Sequence, residues 1–114
     1  ISLYSYSSNE AEDPEIISSP ISLMQNYPNP FNPETTISFS TAEDTENTEL
    51  IIYNIKGQKV KQLISNSANQ LSSGQHSVVW NGRDDNGELV SSGVYFYKLK
   101  TDNKELTRKM LLVK

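Results

Sequence analysis

Three of the chain's five prolines, Pro28, Pro30 and Pro33, fall within six residues of one another in the run from Gln25 to Ile37, Gln-Asn-Tyr-Pro-Asn-Pro-Phe-Asn-Pro-Glu-Thr-Thr-Ile. Proline fixes φ and has no amide proton, and the residues ahead of each one (Tyr27, Asn29, Asn32) are pushed to extended geometry. The run therefore forms neither a helix nor a central strand. It opens at once into alternating residues, and reads as the rigid entrance to a small β domain.

From residue 35 onward the predicted strands come at regular intervals with turn signals between them. Thr35 to Thr41 puts Ile37 and Phe39 on one face. Thr48 to Ile55 carries Leu50 and Ile52 on one face and Ile51, Tyr53 and Ile55 on the other, the pattern of a central strand covered on both sides. Lys56-Gly57 supplies a tight turn into Gln58 to Ile64, where the three-residue spacing of Val60 and Leu63 predicts a bulge. Gln75 to Asn81 alternates His76, Val78 and Trp80 against Ser77, Val79 and Asn81, with Trp80 expected at the centre of the core. Asn81-Gly82, Asn86-Gly87 and Ser91-Ser92-Gly93 are turn signals, the first two favouring positive φ. Val94 to Thr101 sets Tyr95, Tyr97 and Leu99 on one face. Lys104 to Lys114 forms the last strand, Met110 and Leu112 facing one way and Leu111 and Val113 the other. Counting a short strand near Glu88 to Ser91, about seven strands predict an all-β fold, an immunoglobulin-like antiparallel β-sandwich.

Residues 1–24 are a different kind of sequence. Their mixture of Ser, acids and Pro reads as a linker over residues 5–20, with Ile1 to Tyr6 compatible with the last strand of an upstream domain. The expected organisation is thus a linker and tail at 1–24 and a sandwich at 25–114. Charge divides the chain elsewhere: residues 1–55 hold nine acids and no base, residues 56–114 ten bases and five acids, for a net charge of −4. The bases are spread over strands and turns without a stripe of interleaved aromatics, so nucleic acid is not an expected partner. No apolar run approaches the ~20 residues of a membrane span, so no membrane insertion is expected.

Catalytic chemistry finds few residues to use. The chain has no Cys, which excludes disulfides, thiolate zinc sites and cysteine nucleophiles, and it has one His. Ser77 adjoins His76, but neighbours on a strand point to opposite faces and cannot form a nucleophile–base pair. His76 reads as a half-buried strand residue. Asp84 to Glu88 resembles a calcium loop in composition, yet with Gly87 in the glycine position of an EF-hand the first and twelfth positions would be Gly82 and Gly93, where carboxylates are required. Two hydrated turns, with at most weak calcium binding, is the expectation. The acids are not paired across a cleft, there is no glycine-rich phosphate loop, and the Tyr95, Phe96, Tyr97 run reads as core rather than as a sugar platform. The expectation is no enzymatic activity and no cofactor.

Five separated motifs carry a resemblance: Leu23-x-Gln-Asn-Tyr-Pro-Asn-Pro-Phe-Asn-Pro-x-Thr-Thr-Ile; Ile52-Tyr53-Asn54-x-x-Gly57-Gln58-x-Val60; His76-x-Val78-x-Trp80-x-Gly82-Arg83-Asp84; Ser92-Gly93-Val94-Tyr95-Phe96-Tyr97; and Lys109-Met110. In this order, over residues 23–114, they resemble the type A C-terminal sorting domain of the type IX secretion system. The portion from Trp80 to Tyr97 is also similar to the immunoglobulin-like domain of flagellar hook-capping proteins. Asn81 stands where many members of the sorting family have Asp, a change that keeps the turn chemistry, and residues 43–49 are more acidic than usual for the family.

The resemblance implies an export address at the C-terminus of a larger cargo. Its implied partners are the outer-membrane translocon, a sortase-like peptidase cutting near residues 7–24, and the upstream cargo domain, with attachment to surface lipopolysaccharide in some members. The implied location is secreted or at the cell surface, reached through the periplasm. The residues expected to be recognised are Arg108, Lys109, Met110 and Lys114, on an exposed terminal strand whose unpaired backbone would invite pairing while its lysines discourage indiscriminate association. Tyr53, Trp80 and Tyr97 are expected in the core. The competing expectation is an accessory immunoglobulin-like module holding carbohydrate or another surface partner for an upstream enzyme; a third is a plain structural spacer.

Overall fold

A computed structural model describes residues 21–41, 47–65, 74–102 and 104–114. The expected linker over residues 5–20 and strand at Ile1 to Tyr6 lie outside them. Among the described residues seven strands form two antiparallel sheets: β1 (Ser22–Leu23), β2 (Thr35–Thr41), β3 (Glu49–Asn54), β4 (Lys59–Ile64), β5 (Gly74–Trp80), β6 (Gly93–Lys100) and β7 (Glu105–Leu112). One sheet has the order β1-β2-β5, the other β4-β3-β6-β7. This is the immunoglobulin-like all-β sandwich that the alternating pattern predicts.

The core lies between the sheets and follows the period of two. Ile37 and Phe39 of β2, Leu50 and Ile52 of β3, Trp80 of β5, Tyr95, Tyr97 and Leu99 of β6, and Met110 and Leu112 of β7 are all buried. Each was expected on the face it occupies. The spacing of Val60 and Leu63 also has its predicted cause: the β3–β4 register shifts between Leu50 and Ile51 and again between Ile52 and Tyr53, and the unmatched residues of β4 are Leu63 and Val60. Each shift lets β4 turn another apolar side chain toward the core, against which both residues pack.

Three expectations need correction. Residues 88–91 form no strand; they contribute an isolated bridge from Leu89 to Arg83, and the remaining strand of the seven is β1. The sandwich consequently starts before residue 25, because Ser22 and Leu23 pair with Ser40 and Phe39 and Leu23 is buried in the core. The outer side of β3 is covered only in part: Ile51 is buried and Tyr53 half-buried, but Ile55 is 70% exposed in the turn. Tyr53 is therefore not a core residue. Its ring lies on the solvent side of the sheet with the Lys98 ammonium 5.2 Å from its centroid.

Candidate recognition surface

The proline-rich leader crosses the end of the sandwich and lies along β7. Phe31 donates its amide to the Leu111 carbonyl (3.0 Å) and accepts from the Val113 amide (2.9 Å), forming a parallel bridge with the C-terminal strand. Prolines cannot supply donors for such a ladder, and two amide side chains of the leader add bonds of their own to β7, one accepting and one donating. Asn29 Oδ1 accepts from the Leu111 amide at 3.0 Å, and Gln25 Nε2 donates to the Lys109 carbonyl at 2.9 Å. Arg108 adds a bond from Nε to the Leu23 carbonyl.

The leader is pinned from beneath as well. Phe31 is buried, with its ring 5.8 Å from that of Trp80, which in turn meets Tyr95 edge-on at 5.5 Å. Tyr97 Oη donates to the Met24 carbonyl (2.7 Å) and accepts from the Asn26 amide (2.8 Å). Asn26 Nδ2 reaches Thr35 Oγ1 (2.9 Å) and the Pro28 carbonyl (3.1 Å), and the Thr35 hydroxyl donates to the same carbonyl (2.8 Å). Burial pushes the Tyr97 phenol above its ordinary pKa, opposed by the Asn26 amide and the nearby Arg108 charge.

These contacts redistribute the residues expected to be recognised. Arg108 and Lys109 are exposed on β7, and Lys114 is exposed just beyond it with its amide donated to Ser92 Oγ (2.9 Å). Met110 is only 1% exposed, opposite Tyr95 in the ladder, so it belongs to the core and not to a contact surface. The strand's edge is also not open: from Lys109 to Val113 its backbone is engaged by Gln25, Asn29 and Phe31. A partner reading this surface as it stands would meet side chains rather than a free edge.

The motif residues divide between leader, turns and core. Pro28, Pro30 and Pro33 are exposed, their work being to shape the leader. Gly82 is buried at φ 75°, and a Cβ there would be strained and would stand 3.1 Å from the Pro33 carbonyl oxygen, crowding the leader against the turn. Gly57 (φ 83°) closes the β3–β4 hairpin, the Gly57 amide donating to the Asn54 carbonyl, and Gly93 (φ 154°) begins β6. Trp80 Nε1 donates to the Arg83 carbonyl (2.9 Å) and Tyr95 Oη to that of Ser91 (2.7 Å).

In the Asp84 to Glu88 turn the acids serve the backbone. Asp84 Oδ1 accepts from the amides of Asn86 (2.9 Å) and Glu88 (3.0 Å), while Asp85 Oδ1 takes the Gln62 amide (3.2 Å) and lies 3.8 Å from Lys61 Nζ. No group of three metal-ligating side chains occurs among the described residues. His76 is half-buried against the Phe39 ring at 5.4 Å, whereas Ser77 faces the other side and meets Ser38 Oγ at 3.1 Å. Tyr95 and Tyr97 are core while Phe96 is half-buried on the outer face, where with Tyr53, Ile55 and Lys98 it borders a shallow groove of about 330 Å³.

Gln25, Asn26, Asn29 and Thr35 escaped the sequence reading as functional parts. Only Asn29 has a local signal, an amide side chain set between two prolines; the partners of Gln25, Asn26 and Thr35 depend on where the leader comes to rest.

The fold is similar to parts of two solved structures from Porphyromonas gingivalis. One is PorZ, described as an essential bacterial surface component of the type IX secretion system, with 23% identity and a TM-score of 0.55 over 79% of this chain and 11% of PorZ. The other is dimeric latent PorU, with 17% identity and a TM-score of 0.63 over 92% of this chain and 10% of PorU. The chain thus spans about a tenth of the length of either, and the likeness is one of fold. No curated protein sequence matches it. The FlgD Ig-like domain model matches residues 26–105, from the leader into β7, and the chain belongs to that family of immunoglobulin-like domains.

Proposed function

We propose that this domain is a C-terminal sorting signal, which directs a cargo lying upstream in the same chain across the outer membrane through the type IX secretion system. The observation that carries the reading is the meeting of its two outermost motifs: the Pro28 to Pro33 leader and the Lys109-Met110 strand, far apart in sequence, form one hydrogen-bonded structure over Trp80. A partner could therefore test both ends of the domain, and its folded state, at a single place. The fold likeness to domains of PorZ and PorU supports the same system.

In this reading the translocon meets the side chains of Arg108, Lys109 and Lys114, a sortase-like peptidase cuts in the segment ahead of the sandwich, and the cargo is released or held at the cell surface. The domain itself carries no catalysis; any reaction belongs to the cargo.

The test is a fusion of residues 1–114 behind a periplasmic reporter in a bacterium with a working type IX system. Reporter on the surface or in the medium, absent from a translocon-deficient strain, is the expected result. Retention of a folded fusion in the periplasm would overturn the proposal. A second reading, an accessory binding module, draws on the outer groove between Tyr53 and Phe96, where an aromatic face and the Lys98 ammonium are within reach of a ligand. Glycan-array binding by the folded domain, lost in Tyr53→Ala, would favour that reading.

A further inference from the structure

A concavity of about 650 Å³ lies between the β3–β4 turn and the loop from Asp84 to Ser91, with Asn54, Gln58, Lys59, Asn86 and Leu89 in its walls. Asn54 also lines the outer groove of about 330 Å³ that holds Tyr53, Ile55 and Phe96, so the two depressions meet at this residue. Both volumes fall within the ~300–1,000 Å³ of small-molecule sites.

The charged groups around the larger depression already have partners. Lys59 Nζ donates to Gln62 Oε1 (2.9 Å), Asp84 Oδ1 accepts the amides of Asn86 and Glu88, and Asp85 lies beside Lys61. Free bonding capacity is left on neutral groups. Gln58 Oε1 is taken by Asn54 Nδ2 (2.9 Å), but Gln58 Nε2 bonds to nothing among the described residues, and neither do the Asn86 side-chain amide and the Ser91 hydroxyl. Leu89, half exposed, adds an apolar wall. The outer groove is aromatic and apolar, with Ile55 exposed at its end, and its one ammonium, Lys98, is drawn to the Tyr53 ring and to Glu105 (3.7 Å). Asn54, between the two, is fixed: its Oδ1 accepts the amides of Lys56 and Gln58, both at 2.9 Å, so the shared rim is set before a ligand arrives.

We propose that the two depressions form one site for a neutral oligosaccharide, with one sugar ring against Tyr53 and the next held by Gln58 and Asn86. A sugar ring has an apolar C–H face and a rim of hydroxyls that both donate and accept. An aromatic side chain suits the face, and side-chain amides suit the rim. An ionic ligand would instead need unpaired charge of one sign, whereas here both signs are present and engaged. The inference rests on the binding-module reading, to which it adds the ligand class and the second half of the site, and it does not depend on export.

The test is calorimetric titration of the full chain with linear glucose hexamers of the cellulose and starch types, a mannose hexamer, and the corresponding dimers. A hexamer is expected to bind more tightly than its dimer, because only the longer ligand spans both depressions. Tyr53→Ala and Asn86→Ala should each weaken that binding about tenfold or more with the parent's far-UV circular dichroism unchanged. If Tyr53→Ala fails to fold, Tyr53→Leu removes the ring and keeps an apolar side chain on β3. Hexamers that do not bind at millimolar concentration would overturn this site and the binding-module reading together. Binding lost in the Tyr53 variant but untouched by Asn86→Ala and Gln58→Ala would confine the ligand to the outer groove and overturn this inference alone. Binding seen only with a galacturonate hexamer, and abolished by salt, would place the ligand on the lysines and overturn it as well.

Discussion

Tyr97 shows how much of this fold can depend on one polar atom. Its hydroxyl is both acceptor for the Asn26 amide and donor to the Met24 carbonyl, and the residue is fully buried. Tyr97→Phe leaves that amide buried without its partner, at a cost of about 1–3 kcal/mol, read as a lower urea midpoint. The same residue sets an alkaline limit. Because the folded pKa is raised above the ordinary 10.0, the unfolded chain loses this proton first; the contribution to stability is intact below pH 10 and is lost as pH rises toward the folded value. Tyr97→Phe should accordingly show a shallower loss of stability above pH 10 than the parent, although it starts lower. Two glycines separate strain from crowding in the same way. Gly87→Ala (φ 83°) meets nothing within 4 Å and carries only the conformational cost of about 1–2 kcal/mol, whereas Gly82→Ala (φ 75°) also drives a methyl against the Pro33 carbonyl. Gly82→Ala should be clearly the more destabilising in paired thermal melts; equal losses would show that the leader yields at that contact.

At the scale of elements, the leader and β7 behave as one unit, and amide exchange can show it. The Leu111 and Val113 amides are held by Asn29 Oδ1 and the Phe31 carbonyl. Removing both side-chain stitches in Gln25→Ala/Asn29→Ala should speed exchange at Leu111 most, spare the Leu99 amide near the far end of β6, and cost about 0.5–1.5 kcal/mol for each bond. Uniform acceleration along the domain would mean that the leader is bound to global stability and not to this edge. The strands themselves were legible because the period of two is a local property: Tyr95, Tyr97 and Leu99 declare one face without reference to any neighbour. Even the bulges in β4 could be read, since Val60 and Leu63 break that period. The covered edge of β7 could not, because it depends on where a segment some eighty residues earlier comes to rest. Met110 was misassigned for a related reason. Its place in a Lys-Met motif suggested contact, while the alternation with Leu112 had already put it inside. Tyr53 erred in the opposite sense: an aromatic on a central strand faces solvent when no helix or third layer covers that side.

For the whole molecule, the question is what makes two thin sheets a single cooperative body. A three-stranded sheet whose first strand has two residues has little stability of its own. Beyond the shared core, the leader joins it to the other sheet: Leu23 and Tyr27 pair with β2, Phe31 pairs with β7, and the Phe31 ring packs on Trp80 of β5. Trp80 is fully buried, so its fluorescence reports on the same junction. If the leader is part of the core, Phe31→Ala removes a buried aromatic and should cost about 3–5 kcal/mol, a large part of the ~5–15 kcal/mol that holds a domain of this kind together. Fluorescence and far-UV circular dichroism should still trace one coincident transition in urea, moved to a much lower midpoint. If the leader is merely a tether lying over a finished sandwich, the loss should fall within about 0.5 kcal/mol, as for surface substitutions. Two separated transitions, fluorescence first, would mean that Phe31 couples the sheets without setting the stability of either.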